Sequence, residues 1–166
     1  ALLVGDGPLR PEVEALAAGS AAPVRFAGFL NQSAMARAYV AADVLVVPST
    51  TETWGLVVNE AMATGLPAIV SDAVGCAGDL VAPGISGMVF PASDPAALHE
   101  AVCRLAADDR ERDRLAAGAT RRVAAFDVSA SVAGVVHAVQ ALTASRQRPD
   151  AASSSRHAQV GAWRHD

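Results

Sequence analysis

Residues 48–67 read PSTTETWGLVVNEAMATGLP, and they follow a continuous apolar run at 44–47. That run predicts a strand buried on both faces of a parallel sheet, and Pro48 ends it. A polar loop comes next, and a helix is expected to begin at about Gly55 and to stop at Gly65. The segment therefore predicts a strand, a loop and a helix, with one glutamate before the helix and another inside it.

The alternation of strand and helix patterns continues in both directions from this segment. Short apolar runs predict further strands near 1–5, 24–27, 67–71 and 88–90, and apolar residues recur at helical spacing among the earlier strands and after the last one. Such alternation implies right-handed crossovers and a parallel sheet that is covered on both faces. We therefore predict an α/β protein with a Rossmann-like doubly wound parallel sheet in residues 1–143.

The loop before the central helix has the chemistry of an anion site. Gly55 lets a ligand approach the backbone, and the N–H groups of Gly55, Leu56 and Val57 together with the helix dipole favour a phosphate. Glu52 and Glu60 would then accept hydrogen bonds from hydroxyls on either side of it, the layout of a diphosphate joined to two sugars. The helix dipole alone also favours acidic residues at a helix start, so a purely structural role for the pair stays open. Ligands of such sheets bind at the carboxyl ends of the strands, and the loops expected at that rim are 5–8, 28–32, 48–55 and 71–78.

Composition narrows the classes of function. The 166 residues are 52% hydrophobic and 18% charged with a net charge of -4, which predicts a folded domain without a nucleic-acid partner. All 13 basic residues are arginines, which excludes lysine Schiff-base chemistry and a phosphate-loop lysine. The sequence Gly5-x-Gly7-x-x-Arg10 lacks the third glycine of the dinucleotide fingerprint, so a nicotinamide cofactor is not expected.

Cysteine usage and hydropathy give expectations about the compartment. Cys76 and Cys103 are too few for a disulfide framework or a metal site, and they predict free thiols in a reducing, cytoplasmic compartment. No uninterrupted apolar run approaches the ~20 residues that span a bilayer, and a peripheral membrane role stays open. His99 and His137 have no carboxylate or cysteine at ligand spacing, so we expect surface or packing roles for them. Residues 144–166 predict a polar, disordered tail.

The segment 48–67 resembles the donor-site motif of retaining GT-B glycosyltransferases of family 4. In that motif Glu-x7-Glu is followed by Ala-Met-Ala-x-Gly-x-Pro, and the two glutamates correspond to Glu52 and Glu60. The resemblance extends over residues 1–143, because further motifs occur in the order that the family has them. These motifs are Gly5-Asp6-Gly7-Pro8, Phe26-Ala27-Gly28-Phe29, Ala42-Asp43-Val44, Ser71-Asp72 with Gly75, and Gly84-Ile85-Ser86-Gly87.

The resemblance implies a role for each residue of the motif. Glu60 would bind the ribose hydroxyls of a nucleotide sugar, Glu52 would bind the transferred sugar, and the backbone N–H groups after Gly55 would hold the diphosphate. Trp54 stands where a phenylalanine is more usual, and it either narrows the pocket or packs the loop. The remaining donor-binding residues are Gly5, Leu56 and Val57, with the backbone of Gly28, Phe29 and Leu30 against the base. The resemblance implies no metal ion, no cofactor and no assured protein nucleophile.

Two parts of the family pattern are missing from this sequence. The family places an arginine and a lysine in a strand-helix unit before the Gly-Asp-Gly strand, and it has an N-terminal acceptor domain. The resemblance therefore implies the C-terminal half of a GT-B fold without its first strand-helix unit. We expect such a chain to self-associate or to pair with an N-terminal domain, and to transfer no sugar alone.

The function that the resemblance implies is donor binding in a metal-independent hexosyltransferase that retains the configuration of the sugar. The acceptor is not specified. One alternative is a nucleotide-binding or interaction module without catalysis, which the missing basic residues favour. Another is a generic Rossmann-like domain whose motif match is a coincidence.

Overall fold

The computed structural model describes residues 1–146, and its first compact unit covers residues 1–125. The strands of this unit are β1 (Leu2–Val4), β2 (Arg25–Gly28), β3 (Leu45–Val47), β4 (Ala68–Ser71) and β5 (Gly87–Phe90). Its helices are α1 (Arg10–Ala18), α2 (Gln32–Val40), α3 (Leu56–Ala63), α4 (Pro95–Ala107) and α5 (Asp109–Val123). Every strand pair is parallel, which confirms the predicted α/β class.

The strands are divided between two parallel sheets, where the sequence pattern predicted one. One sheet has the order β1-β2 and the other has the order β3-β4-β5. Within the described residues no strand lies hydrogen-bonded between β1 and β3, so each of these strands has one unpaired edge. The side chains of β1 are correspondingly accessible, with Leu2, Leu3 and Val4 exposed by 51%, 37% and 39%.

The core is built around β4, whose residues are all buried. Ile69 of β4 packs in a cluster with Phe90, Leu105 and Leu115, which come from β5, α4 and α5. A second cluster contains Tyr39, Ala61 and Leu66, with Met35 and Leu45 packed against it. The helices on both sides of the loop at 48–55 are therefore anchored in the core.

The second compact unit begins at Phe126 and contains α6 (Val128–Arg146). The helical spacing of valines predicted this helix, and the helix continues past the expected start of the tail at residue 144. The rest of that predicted tail, 147–166, lies outside the described residues. The domain that the sequence predicted over 1–143 includes the first unit and most of α6, and its bounds stay a prediction.

One long helical stretch is apolar enough to cross a membrane by length and composition. Within residues 109–144 an 18-residue window reaches a mean hydropathy of 1.4. The sequence has no uninterrupted apolar run of this length because polar residues interrupt the window, and a high mean hydropathy tolerates them. Helices of soluble proteins pass the same test, so the finding by itself assigns no membrane role.

Ser93→Gly is expected to stabilise the chain by about 0.5–1 kcal/mol. Ser93 follows β5 with φ 63°, in the left-handed region that costs an L-residue ~1–2 kcal/mol and costs glycine little. Part of this gain is offset because glycine has more freedom in the unfolded chain. Urea unfolding measures the change, and Ala92→Gly is the matched control because its φ is not positive. Equal loss of stability in both variants would contradict the prediction.

Candidate functional site

The loops that follow β3 and β4 are joined by backbone hydrogen bonds. The N–H of Gly75 donates to the carbonyl of Glu52 at 2.9 Å, and the N–H of Cys76 donates to the carbonyl of Trp54 at 2.9 Å. A Cβ on Gly75 would lie 2.0 Å from the carbonyl oxygen of Thr53, so only glycine permits this approach. These two loops therefore form one rim at the carboxyl end of the β3-β4-β5 sheet, as the sequence predicted for 48–55 and 71–78. The loops 5–8 and 28–32, which the sequence placed at the same rim, follow the strands of the other sheet.

The N-terminus of α3 opens at this rim. Gly55 caps the helix with φ 92°, is buried, and faces Val74, whose Cγ1 would lie 2.9 Å from a Cβ at position 55. Leu56 and Val57 come next and are exposed by 69% and 38%. The first N–H groups of a helix have no partner inside the helix, so the amides of Leu56 and Val57 are available to a ligand here. The geometry suits the predicted phosphate site, and the role of these residues stays a prediction.

Glu52 is half-buried and is oriented by its own loop. Its Oε1 accepts a hydrogen bond from the backbone N–H of Trp54 at 3.3 Å. The indole Nε1 of Trp54 in turn donates to Oδ1 of Asn59 at 2.8 Å, which ties the loop to α3. Sequence reasoning missed Asn59, although a polar residue one turn into the helix was a signal that could have indicated it.

Glu60 lies in α3 with its carboxylate exposed. Its Oε2 accepts a hydrogen bond from the hydroxyl of Tyr39 at 2.8 Å. Tyr39 is only 5% exposed, and burial, followed by the hydrogen bond to Glu60, raises the pKa of its phenol. The helical spacing of apolar residues in the sequence does not indicate this link between α2 and α3.

A second pair of loops follows β1 and β2. The N–H of Gly5 donates to the carbonyl of Gly28 at 2.8 Å, and both glycines have positive φ, 117° and 65°. Phe29 is 83% exposed and Leu30 is half-buried. An open cavity of about 360 Å³ lies beside the loop that starts at Gly5 and is lined on its apolar side by Leu3 and other residues of β1 and α1.

A guanidinium group lies at this second pair of loops. In the side chain of Arg10, Nη1 donates to Oδ2 of Asp6 at 3.1 Å and Nε donates to Oε1 of Glu14 at 2.7 Å. The same Nη1 would lie 3.4 Å from a Cβ on Gly28. Sequence reasoning used Arg10 only to reject a dinucleotide fingerprint and missed that this cation borders the predicted base-binding loop.

The two cysteines have different environments. Cys76 is buried, its Sγ lies 3.9 Å from the carbonyl oxygen of Gly55, and burial raises the pKa of its thiol. Cys103 is exposed, and its Sγ lies 3.6 Å from Nε2 of His99. The expectation that His99 has no cysteine partner is therefore wrong, because positions four apart share one face of α4. Within residues 1–146 no group of three or more histidine, cysteine or carboxylate side chains could hold a metal ion.

A protein-family model matches more than half of the chain. The family model described as glycosyl transferases group 1 matches residues 1–108. The chain therefore belongs to this family. The family match includes β1 to β5 and both pairs of loops described above.

The curated relatives that the chain matches are glycosyltransferases as well. The D-inositol 3-phosphate glycosyltransferase of Frankia alni is 43% identical over 113 residues, which is 68% of this chain and 28% of the relative. The D-inositol 3-phosphate glycosyltransferase of Thermomonospora curvata is 42% identical over 131 residues, which is 77% of this chain and 30% of the relative. The chain thus spans less than a third of the length of these two relatives.

Solved structures match the fold and confirm the GT-B class. The sucrose-phosphate synthase of Thermosynechococcus elongatus superposes with a TM-score of 0.74 and 35% identity, covering 87% of this chain and 38% of that one. The HepE protein of Anabaena, solved in complex with UDP-glucose, gives a TM-score of 0.71 at 25% identity, covering 85% of this chain and 40% of that one.

Proposed function

We propose that this chain is the nucleotide-sugar donor-binding part of a retaining, metal-independent hexosyltransferase. The observation that carries the proposal is the N-terminus of α3, where a buried left-handed Gly55 is followed by the exposed residues Leu56 and Val57, with Glu52 before the helix and Glu60 inside it. A diphosphate at this end of the helix accepts hydrogen bonds from the amides of Leu56 and Val57 and is favoured by the helix dipole. Family membership supports the same class of ligand.

Each part of the donor has a proposed partner in the chain. Glu60 accepts hydrogen bonds from the ribose hydroxyls, and Glu52 accepts them from the transferred hexose. The base lies against the backbone of Gly28, Phe29 and Leu30. Since HepE was solved with UDP-glucose, a uridine nucleotide is the first ligand to test.

The proposed chemistry is stabilisation of a leaving group. When the bond between the sugar and the diphosphate breaks, negative charge develops on the diphosphate oxygen. Oriented N–H groups at the start of α3 stabilise that charge in the transition state without a metal ion. The acceptor hydroxyl attacks the sugar carbon on the face from which the diphosphate departs and gives its proton to the departing diphosphate oxygen, which accounts for retention of configuration. We assign no protein nucleophile and no cofactor.

Glu60→Gln is expected to weaken binding of UDP about tenfold or more. A hydrogen bond to a charged group contributes ~1.5–3 kcal/mol, and glutamine keeps the shape while removing the charge. Glu52→Gln is expected to leave UDP binding unchanged and to weaken UDP-glucose, because the proposal places it on the sugar. Calorimetric titration of the 166-residue chain measures both, with GDP and ADP as comparison nucleotides.

Glu100→Gln on the exposed face of α4 is the matched control and is expected to bind as the unmutated chain does. Normal UDP binding by Glu60→Gln together with loss in Glu52→Gln would reverse the two assignments. Failure of the unmutated chain to bind any of the three nucleotides would overturn the proposal.

The second candidate function is a nucleotide-binding module without catalysis. The complete lack of lysine favours it, since lysine is a common partner of a leaving diphosphate. Incubation of the chain with UDP-glucose and EDTA tests the enzyme candidate, because hydrolysis of the donor would favour it over the module. Saturable binding without hydrolysis is expected of both candidates, since the chain is expected to transfer no sugar alone.

A further inference from the structure

The two glutamates at the rim are held by different kinds of group. Glu52 accepts its hydrogen bond from the backbone N–H of Trp54, two residues along the same loop. Glu60 accepts its hydrogen bond from a side chain of another helix, the hydroxyl of Tyr39, 21 residues earlier. The orientation of Glu60 therefore depends on one atom that a substitution can remove.

Tyr39 is itself firmly placed. Its ring is buried with Ala61 and Leu66, so its hydroxyl projects from the core towards Glu60 at 2.8 Å. A tyrosine phenol is protonated at neutral pH at its ordinary pKa, and burial raises the pKa of Tyr39 further, so its hydroxyl is a hydrogen-bond donor. The exposed carboxylate at position 60 thus has a permanent donor on one of its oxygens.

An exposed glutamate without such a donor samples many rotamers, and the conformational entropy that it loses on binding a ligand weakens the affinity. A fixed donor on Oε2 restricts these rotamers before the ligand arrives. Oε1 and the second lone pair of Oε2 stay free to accept hydrogen bonds from the ligand. We infer that Tyr39 is a positioning residue, which fixes the carboxylate of Glu60 for the ribose hydroxyls of a nucleotide. The inference depends on the proposed function, and it assigns the specificity for ribose to a pair of residues on two helices.

The test compares a nucleotide that carries the ribose hydroxyls with one that does not. In the 166-residue chain, Tyr39→Phe removes only the hydroxyl oxygen and keeps the ring. Its affinity for UDP is expected to fall about threefold to tenfold, the range for a hydrogen bond in proteins. Its affinity for 2′,3′-dideoxy-UDP is expected to equal that of the unmutated chain, because this ligand makes no contact that Glu60 could orient.

Further variants separate a positioning role from a structural one. The double variant Tyr39→Phe with Glu60→Gln is expected to bind UDP as weakly as Glu60→Gln alone, since the hydroxyl acts only through that carboxylate. If Tyr39→Phe does not fold, the hydroxyl proton of Tyr39 in the unmutated chain gives a second measurement. Its NMR signal is expected to shift on addition of UDP and to stay in place on addition of the dideoxy ligand.

The outcomes are distinct. Equal weakening of both ligands by Tyr39→Phe means that the hydroxyl supports the pocket as a whole, and this overturns the inference. Unchanged UDP binding in Tyr39→Phe, with loss in Glu60→Gln, also overturns it while leaving the proposed function intact. Unchanged UDP binding in Glu60→Gln removes the ribose role of that residue from the proposed function itself.

Discussion

Gly75→Ala is expected to destabilise the chain by about 1–3 kcal/mol or more and to abolish nucleotide binding. The new Cβ would lie 2.0 Å from the carbonyl oxygen of Thr53 and 2.7 Å from its carbonyl carbon. Both are backbone atoms, so the clash cannot be relieved by turning a side chain. The two loops must separate, and the hydrogen bonds to the carbonyls of Glu52 and Trp54 are lost with them.

Gly78→Ala provides the matched control in the same loop. No atom lies within 4 Å of a Cβ at position 78, and its φ is not positive. Alanine there is expected to leave binding unchanged and to stabilise the chain by up to about 1 kcal/mol, because it reduces the freedom of the unfolded chain. Urea unfolding and calorimetric titration compare the two variants. Equal stability in both would show that the loops at 53 and 75 tolerate separation.

The sequence predicted the local structure of the site well because local signals determine it. Pro48 ends β3, Gly55 in the left-handed region caps α3, and the helix ends before Gly65, as glycine and proline at these positions require. The parallel arrangement also followed from the alternation of strands and helices. These features depend on neighbours in sequence, which a single sequence displays.

The contacts between distant residues could not be predicted in the same way. The hydrogen bond from Tyr39 to Glu60 joins two helices, and nothing in the spacing of either helix specifies which side chains meet. The approach of Gly75 to Thr53 likewise depends on how β3 and β4 are paired. The sequence shows glycine at position 75, but glycine is required there because of the carbonyl oxygen of Thr53, 22 residues earlier in the chain.

The division into two sheets leaves β3 with an unpaired edge, and this edge leads to a second prediction. The N–H of Leu45 donates to the carbonyl of Pro67, so β3 is hydrogen-bonded to β4 on one side only. In a strand the N–H groups of successive residues point to opposite sides. The N–H and carbonyl of Val46 therefore point away from β4, towards an edge that no strand of the described chain covers.

Amide exchange is expected to alternate along β3 in dilute solution. Leu45 and Val47 should exchange slowly because their amides face β4, whereas Val46 should exchange faster by several orders of magnitude. The amides of β4, which lie between two strands and are buried, serve as the internal reference for slow exchange. Slow exchange of Val46 in a monodisperse monomer would show that another strand of the chain covers this edge.

Unpaired edges with accessible apolar side chains are templates for pairing with a second chain. The chain is therefore expected to self-associate as its concentration rises. Light scattering measures the mass of the associated species, and the Val46 amide is expected to become protected from exchange over the same range of concentration. Val46→Lys should suppress association, since an edge lysine opposes strand pairing, while the exchange of β4 stays slow. Val40→Lys, at a position 75% exposed on α2, is the control and should associate as the unmutated chain does. If both lysine variants suppress association equally, added charge and not the β3 edge governs it.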